Sequence, residues 1–228
     1  DYCINAAAYT NVEKAESDQE TAFLTNTEGV KQLAKHCDKN NTTLIQISTD
    51  YVFDGKKGSP YNEEDTTSPL NVYGASKLKG EQYVQEICQA YYILRTSWLY
   101  SQYGHNFYNT VLRFAKEGKP LTVTTEQIGT PTNANDLAEA ILTIIKSNKE
   151  KYGIYNFSNQ GEATWYDFAR EVLIQTNQLT KSNLVKTDYY RTFAARPKYS
   201  VLNTIKYNTA FVNLVIDWKS SLKSVIIK

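Results

Sequence analysis

Tyr73 and Lys77 stand four residues apart in "YGASK", with Gly74, Ala75 and Ser76 between them. On a helix this spacing stacks the two side chains on one face, about 5–6 Å apart at Cβ. A tyrosine phenol titrates near pH ~10 when unperturbed, too high for a well-matched proton donor or acceptor at neutral pH. A lysine ammonium held beside it favours the phenolate and lowers that pKa. The pair therefore predicts proton transfer at an oxygen centre, with a hydroxyl from a neighbouring strand orienting the reacting atom. Ser48 and Thr49, in "ISTDYVF", offer such hydroxyls. Packing alone is the rival reading, since the chain holds 18 tyrosines and one could precede a lysine at this spacing by chance.

The elements that must hold these residues alternate strand and helix. "YCINAAA" (2–8) is an apolar run suited to a parallel strand. The helix after it places Ala22, Phe23, Asn26, Val30, Leu33, Ala34 and Cys37 on a 3.6-residue period, with Asn26 the polar exception. "TTLIQISTDYVF" (42–53) is the next strand and runs into a turn-rich loop, "DGKKGSPYNEEDTTSPLN". The "YGASK" helix follows, with Tyr83, Val84 and Ile87 inward, and then the strand "YYILRTSWLY" (91–100). A helix at 134–147 turns Leu137, Ile141, Ile144 and Ile145 inward, and "GIYNFS" (153–158) is a short strand. The helix after Thr164 puts Trp165, Phe168 and Val172 inward, with Thr164 as its cap. Repeated β–α units predict an α/β fold with a mainly parallel sheet. Ligands of such sheets bind at the carboxyl ends of the strands, near a reversal of strand order. "NAAAYT", "STDYVF" and "RTSWLY" are three such ends. In the first, Ala6, Ala7 and Ala8 leave the backbone open to close approach by a flat or phosphorylated ligand.

Composition narrows the function classes. The 228 residues carry a formal net charge of +1, with basic and acidic residues interspersed, which leaves no footprint for nucleic acid or an anionic membrane. No apolar run approaches the ~18 residues of a membrane helix. Cys3, Cys37 and Cys88 form neither a metal spacing nor a disulfide framework, which fits a reducing cytoplasm. His36 and His105 lack ligand-spaced partners and read as structural or exposed. Glu63, Glu64 and Asp65 read as a solvated loop, so no metal site is expected from the residues themselves.

The segment "STDYVFDGKKGSPYNEEDTTSPLNVYGASKLKGE" resembles the centre of the extended short-chain dehydrogenase/reductases and, within them, the dTDP-4-dehydrorhamnose reductase family. "INAAAYTNVEKAESD" before it, and "LRTSWLYS", "GHNF", "QIGTPTNANDLAEAI" and "RPKYSVL" after it, resemble the same family in the same order, over about residues 1–200. Sugar epimerases and dehydratases of the superfamily resemble it less, because their strand end reads like "STDEVYG" where this one reads "STDYVF".

The resemblance implies a Rossmann-type, doubly wound parallel sheet with a smaller C-terminal α/β lobe. The dinucleotide-binding lobe would be 1–103 with 134–158, and the substrate lobe 104–133 with 159–228. It implies reduction of the 4-keto group of a dTDP-linked 4-keto-6-deoxy sugar, dTDP-4-dehydro-L-rhamnose, by NADPH or NADH. Tyr73 would be the proton donor to the C4 oxygen, Lys77 would hold the nicotinamide ribose and acidify Tyr73, and Thr49 would hydrogen-bond the keto oxygen or the phenol. Ala6, Ala7, Ala8 and Tyr9, with Asn26 and Ser48, would line the cofactor. Asp50, Trp98, Gln127, Ile128 and Arg196 would meet the nucleotide sugar, Arg196 through its phosphates. Each has a bland rival: Asn26 as a satisfied core amide, Trp98 as core, Arg196 as a solvated loop residue. The implied partner is the small-molecule substrate, with a homodimer and a cytoplasmic location as further expectations. Some members of the family carry Mg²⁺, and no motif here places its ligands.

One feature of the family is absent. Its glycine-rich turn, resembling GxxGxxG, cradles the pyrophosphate at a helix N-terminus. None of the ten glycines forms it, and Gly55 and Gly58, the nearest in spacing, lie in another loop. The family pattern places that turn before Asp1, so the expectation is that an N-terminal segment is missing here. Two other classes stay open: a non-catalytic regulatory protein on this scaffold, and an epimerase or dehydratase of another nucleotide sugar.

Overall fold

In the computed structural model, which describes residues 1–212 and 214–226, the chain opens with β1 (Tyr2–Asn5), α1 (Val12–Ala15) and α2 (Gln19–Phe23). A π-helical turn (Leu24–Gly29) leads into α3 (Val30–Lys39), then β2 (Thr43–Thr49), a 3-10 turn (Asp50–Val52), α4 (Val72–Ile87), β3 (Tyr91–Thr96) and β4 (Leu99–Tyr100). Next come α5 (Phe107–Lys116), β5 (Pro120–Thr124), β6 (Ile128–Gly129), β7 (Thr132–Asn133), α6 (Ala134–Ser147) and β8 (Gly153–Asn156). The chain closes with β9 (Ala163–Thr164), α7 (Trp165–Gln175), β10 (Asn183–Thr187), α8 (Ile205–Phe211) and α9 (Trp218–Ile226).

Four strands form one parallel sheet in the order β1-β2-β3-β8. Strand β2 is buried along nearly its whole length because both of its faces are covered, as its continuous apolar run requires. Leu44 packs with Val30, Ala34, Cys37 and Val84 from α3 and α4, while the next residue, Ile45, packs with Leu137, Ile141 and Ile144 from α6. Successive side chains of a strand point to opposite faces, so these two cores lie on opposite sides of the sheet, which is therefore doubly wound. Tyr207, Ala210 and Phe211 of α8 join the second of these cores. A further core holds α5, α7 and α9 together through Tyr108, Val111, Phe168, Val172, Trp218 and Leu222. The short pairs β4–β7, β6–β9 and β5–β10 lie outside the main sheet.

One expectation changes. The first strand ends at Asn5, so the three alanines lie in the loop beyond it. Trp165, half-buried, packs against the same core as Phe168 and Val172, with its indole flat on Trp98.

Candidate active site

In register, Thr49 of β2 pairs with Thr96 of β3, so the carboxyl ends of the two central strands finish side by side. Above them opens a crevice of about 430 Å³, large enough for part of a cofactor or a sugar. Its walls include Ala6 and Ala8, Ser48 to Tyr51, Tyr73 and Lys77, Trp98, and Arg196.

Helix α4 reaches this position because its first turns are small. Asn71 caps it, accepting a hydrogen bond from the Gly74 N–H at 2.8 Å. A Cβ on Gly74 would lie 2.2 Å from the Tyr51 carbonyl oxygen, so only glycine lets the helix rest on the 3-10 turn. Ser76 is fully buried: its hydroxyl donates to the Tyr73 carbonyl at 2.8 Å and accepts from Asn26 Nδ2 at 3.0 Å. Gly74 and Ser76, two of the three light residues between Tyr73 and Lys77, thus allow the helix to pack closely there. Asn26 also clasps the Tyr9 backbone, accepting from its N–H at 2.8 Å and donating to its carbonyl at 3.0 Å. It holds the Ala6–Tyr9 loop against α4 and is itself 1% exposed.

Lys77 is buried, and its ammonium donates to the Ile47 carbonyl at 2.7 Å. Burial lowers its pKa to about 8, opposed by the Glu81 carboxylate one turn along the helix. Tyr73 keeps some ring surface open to the crevice and meets Tyr51 edge-on, with centroids 5.9 Å apart. Burial raises its phenol to about 12, offset by a hydrogen bond with Thr49 and reinforced by Asp50. The expected acidification by Lys77 is therefore not what the protein alone produces: the dominant influence is desolvation, and it acts in the other direction. Thr49 donates to Asp50 Oδ1 at 3.1 Å and accepts from the Tyr51 N–H at 3.1 Å.

Ser48 faces the crevice but commits its hydroxyl to Glu81. The Glu81 carboxylate also receives Arg95 Nη2 at 2.7 Å, in an ion pair almost wholly out of water. Trp98 has φ of +46°, a left-handed conformation that is costly for a bulky residue, and its indole lies flat on Trp165 at 3.7 Å with the planes 10° apart. Gly129 makes room for it, since a Cβ there would come within 2.6 Å of the ring. Gln127 accepts a hydrogen bond from the Trp165 indole at 3.0 Å and lines an adjoining cavity of about 480 Å³ with Arg196, Phe107, Phe114 and Tyr190. Ile128 lies in β6, paired with Thr164, and lines neither cavity. Ala7 and Tyr9 likewise stand back from the walls. Arg196 reaches both cavities and pairs with Glu13 at 2.8 Å.

Sequence reasoning missed Glu13, Phe107 and Trp165. Asn106 capping a 107–116 amphipathic pattern was a legible signal for α5 and hence for Phe107. Glu13 and Trp165 gave none, because each matters only through a partner distant in the chain. His105 is exposed as expected, yet it stands at the mouth of both cavities.

The residues present fit the nicotinamide end of a dinucleotide. An ammonium carries three donors and Lys77 spends one on Ile47, so two remain for ribose hydroxyls. Ala6 and Ala8 add only methyl groups to the lining of the crevice. Among the described residues no three acidic, histidine or cysteine side chains converge as metal ligands, so Mg²⁺ rests on resemblance alone.

A family model described as the RmlD substrate binding domain matches residues 1–228. The dTDP-4-dehydrorhamnose reductase of Escherichia coli K12 is 41% identical over 235 residues, covering 99% of this chain and 79% of its relative. Spore coat polysaccharide biosynthesis protein SpsK of Bacillus subtilis is 38% identical, covering 89% of this chain and 71% of its own length. Among solved structures, the dTDP-4-dehydrorhamnose reductase of Bacillus anthracis in complex with NADP gives a TM-score of 0.94 at 37% identity, covering 98% of this chain and 79% of that one.

Proposed function

This chain belongs to the RmlD substrate-binding-domain family, and from that premise we propose that it reduces the 4-keto group of dTDP-4-dehydro-L-rhamnose to dTDP-L-rhamnose with NADPH. The observation that carries this reading is the meeting of Tyr73, Lys77 and Thr49 in one crevice at the carboxyl ends of β2 and β3.

The reduced nicotinamide, when bound, supplies the hydride. Tyr73 donates the proton that the C4 oxygen needs once hydride has arrived. A phenol raised to about 12 suits that direction, because it holds its proton at rest and releases it only to the strongly basic alkoxide. Lys77 uses its two remaining N–H groups on the ribose, and its positive charge offsets the phenolate left behind. Thr49 orients the reacting oxygens. Asp50 and Trp98 border the sugar, and Arg196, with Gln127 nearby, meets the nucleotide diphosphate from the adjoining cavity.

The division of labour belongs to the same proposal: residues 1–103 and 134–158 hold the dinucleotide, and 104–133 with 159–228 hold the sugar nucleotide, although α8 packs onto the sheet of the former. Three unpaired cysteines support a cytoplasmic setting.

The test follows NADPH absorbance in the presence of the 4-keto sugar nucleotide, for the protein and for Tyr73→Phe. The expected loss is a factor of about 10² or more. Equal turnover by the two would reject the proton-donor role. Catalytic rather than stoichiometric use of cofactor would point instead to an epimerase or dehydratase.

A further inference from the structure

We propose that Asp50 is the proton reservoir of this site, resupplying Tyr73 through the hydroxyl of Thr49. The proposal rests on the reductase reading for the final acceptor of the proton, and on the following geometry for its path.

Asp50 is 2% exposed, borders the crevice, and follows Thr49 directly at the end of β2. Its Oδ1 accepts the Thr49 hydroxyl at 3.1 Å. Its Oδ2 is buried without a hydrogen-bond partner among the described residues. Hydroxyls of Ser200 and Thr49 and the Asp50 and Tyr51 N–H groups only partly offset the loss of water, so a carboxylate in this dry site is expensive, whereas a carboxylic acid there is not. Among the described residues no cationic group acts on it. The groups that face it are Tyr73 from α4, Tyr51 from its own turn, and the Ser200 hydroxyl from the segment after β10. Arg196 reaches Tyr51 and Glu13 rather than this carboxyl. The result is a carboxyl raised to about 7, with burial the main cause and the Ser200 and Thr49 hydroxyls opposing it.

Thr49 is the link because its oxygen is already spoken for on one side. It accepts the Tyr51 N–H at 3.1 Å, leaving one lone pair and one hydrogen to be shared between Asp50 and Tyr73. With Asp50 ionised, the Thr49 hydrogen points at the carboxylate and Tyr73 can only donate to Thr49. With Asp50 protonated, the order reverses: Asp50 donates to Thr49, and the Thr49 hydrogen is free for Tyr73. After Tyr73 has given its proton to the C4 oxygen, the phenolate takes the Thr49 hydrogen and Thr49 takes that of Asp50. Three O–H bonds form and three break. The sugar gains one hydride and one proton, and Asp50 is left as carboxylate, to be reprotonated from water once the product has gone.

The test uses the full chain with Asp50→Asn and Thr49→Val, each checked for folding by circular dichroism and thermal melting. The first readout needs no turnover. Carbon-13 NMR of labelled Asp carboxyls and Tyr phenols, assigned through Asp50→Asn and Tyr73→Phe, should show one carboxyl titrating near neutrality, and a Tyr73 midpoint that falls when Asp50 is made neutral. In Thr49→Val the carboxyl midpoint should rise, because a hydrogen bond that favours its ionised form is gone. The second readout is the pH profile of kcat/KM with NADPH and the 4-keto sugar nucleotide. The wild type should lose activity as pH rises through about 7, and Asp50→Asn should be at least tenfold slower with that limb gone. An Asp50 carboxyl titrating in the ordinary range, or a Tyr73 midpoint indifferent to Asp50→Asn, would overturn the relay. So would a wild type that turns over beside an Asp50→Asn variant of unchanged profile, with the reductase reading left standing. A folded wild type that never oxidises NADPH would overturn the reductase reading instead, and the relay with it.

Discussion

Glu13 and Arg196, separated by 183 positions in the chain, meet at 2.8 Å across the mouth of the crevice. The other Glu13 oxygen accepts the Phe193 and Ala194 N–H groups at 2.7 and 3.2 Å, so one carboxylate organises the segment that carries Arg196. Asn71, the cap of α4, reaches the same segment by donating to the Ala195 carbonyl at 2.8 Å. The guanidinium is thereby tied to the helix that bears Tyr73 and Lys77. Because the pair is partly solvated, Glu13→Gln should change stability by no more than about 1 kcal/mol. Substrate binding should respond more: Arg196→Ala is expected to raise KM for the nucleotide sugar at least tenfold, and Glu13→Gln severalfold, with kcat little altered in either. Steady-state kinetics and urea unfolding of the two variants check this.

Lys77 makes a pH-dependent contribution whose sign is opposite to that of a surface lysine. Its folded pKa of about 8 lies below the unfolded value of 10.5. Between these values the unfolded chain binds more protons, so folding stability rises with pH in that window. The cost of burying the charge is fully present below about pH 8 and fades as pH approaches 10.5. A depression of this size is worth roughly 3 kcal/mol. Lys77→Met should therefore melt no lower than the wild type at pH 7 while losing nearly all turnover. The stability advantage of the variant should shrink as pH is raised from 8 to 10, as read by urea unfolding at each pH.

Gly74→Ala tests the seating of α4. The added Cβ would lie 2.2 Å from the Tyr51 carbonyl oxygen, which is backbone and cannot yield cheaply. Overpacking of this kind costs about 1–3 kcal/mol, although alanine is by propensity the better helix residue. A lowered urea midpoint with reduced kcat is expected, since the displaced helix carries Tyr73 away from Thr49. A variant more stable than the wild type would show that the close approach is not obligatory.

The buried pair of Arg95 and Glu81 sits behind Ser48 and one helical turn from Lys77. Removing one partner leaves the other charge in a dry interior, so Arg95→Met or Glu81→Gln alone should cost about 3–5 kcal/mol. Replacing both should cost markedly less than the sum of the single changes. A double-mutant cycle by denaturant unfolding measures the coupling, and additivity would rule out the buried pairing.

Much of the fold was legible in the chain because its signals are local. The α/β class, the helices at 72–87 and 134–147, and the cap at Thr164 all follow from periodicity and capping chemistry over a few residues. Tyr73 and Lys77 share a face for the same kind of reason, since a four-residue spacing becomes a shared face in any helix. Helix α5 is as legible, through Asn106 as its cap and the amphipathic pattern after it.

What the amino-acid order determined by itself was thus which elements form and which candidate groups ride on them. Tertiary structure decided their surroundings. It turned the Tyr73 phenol upward in pKa through desolvation, gave Asn26 and Ser76 to the support of a loop and a helix, laid Trp165 on Trp98, and set Glu13 against Arg196. Pairing across many residues and the loss of water around a group are properties of the packed molecule. No local pattern encodes either, because both depend on what the rest of the chain brings alongside.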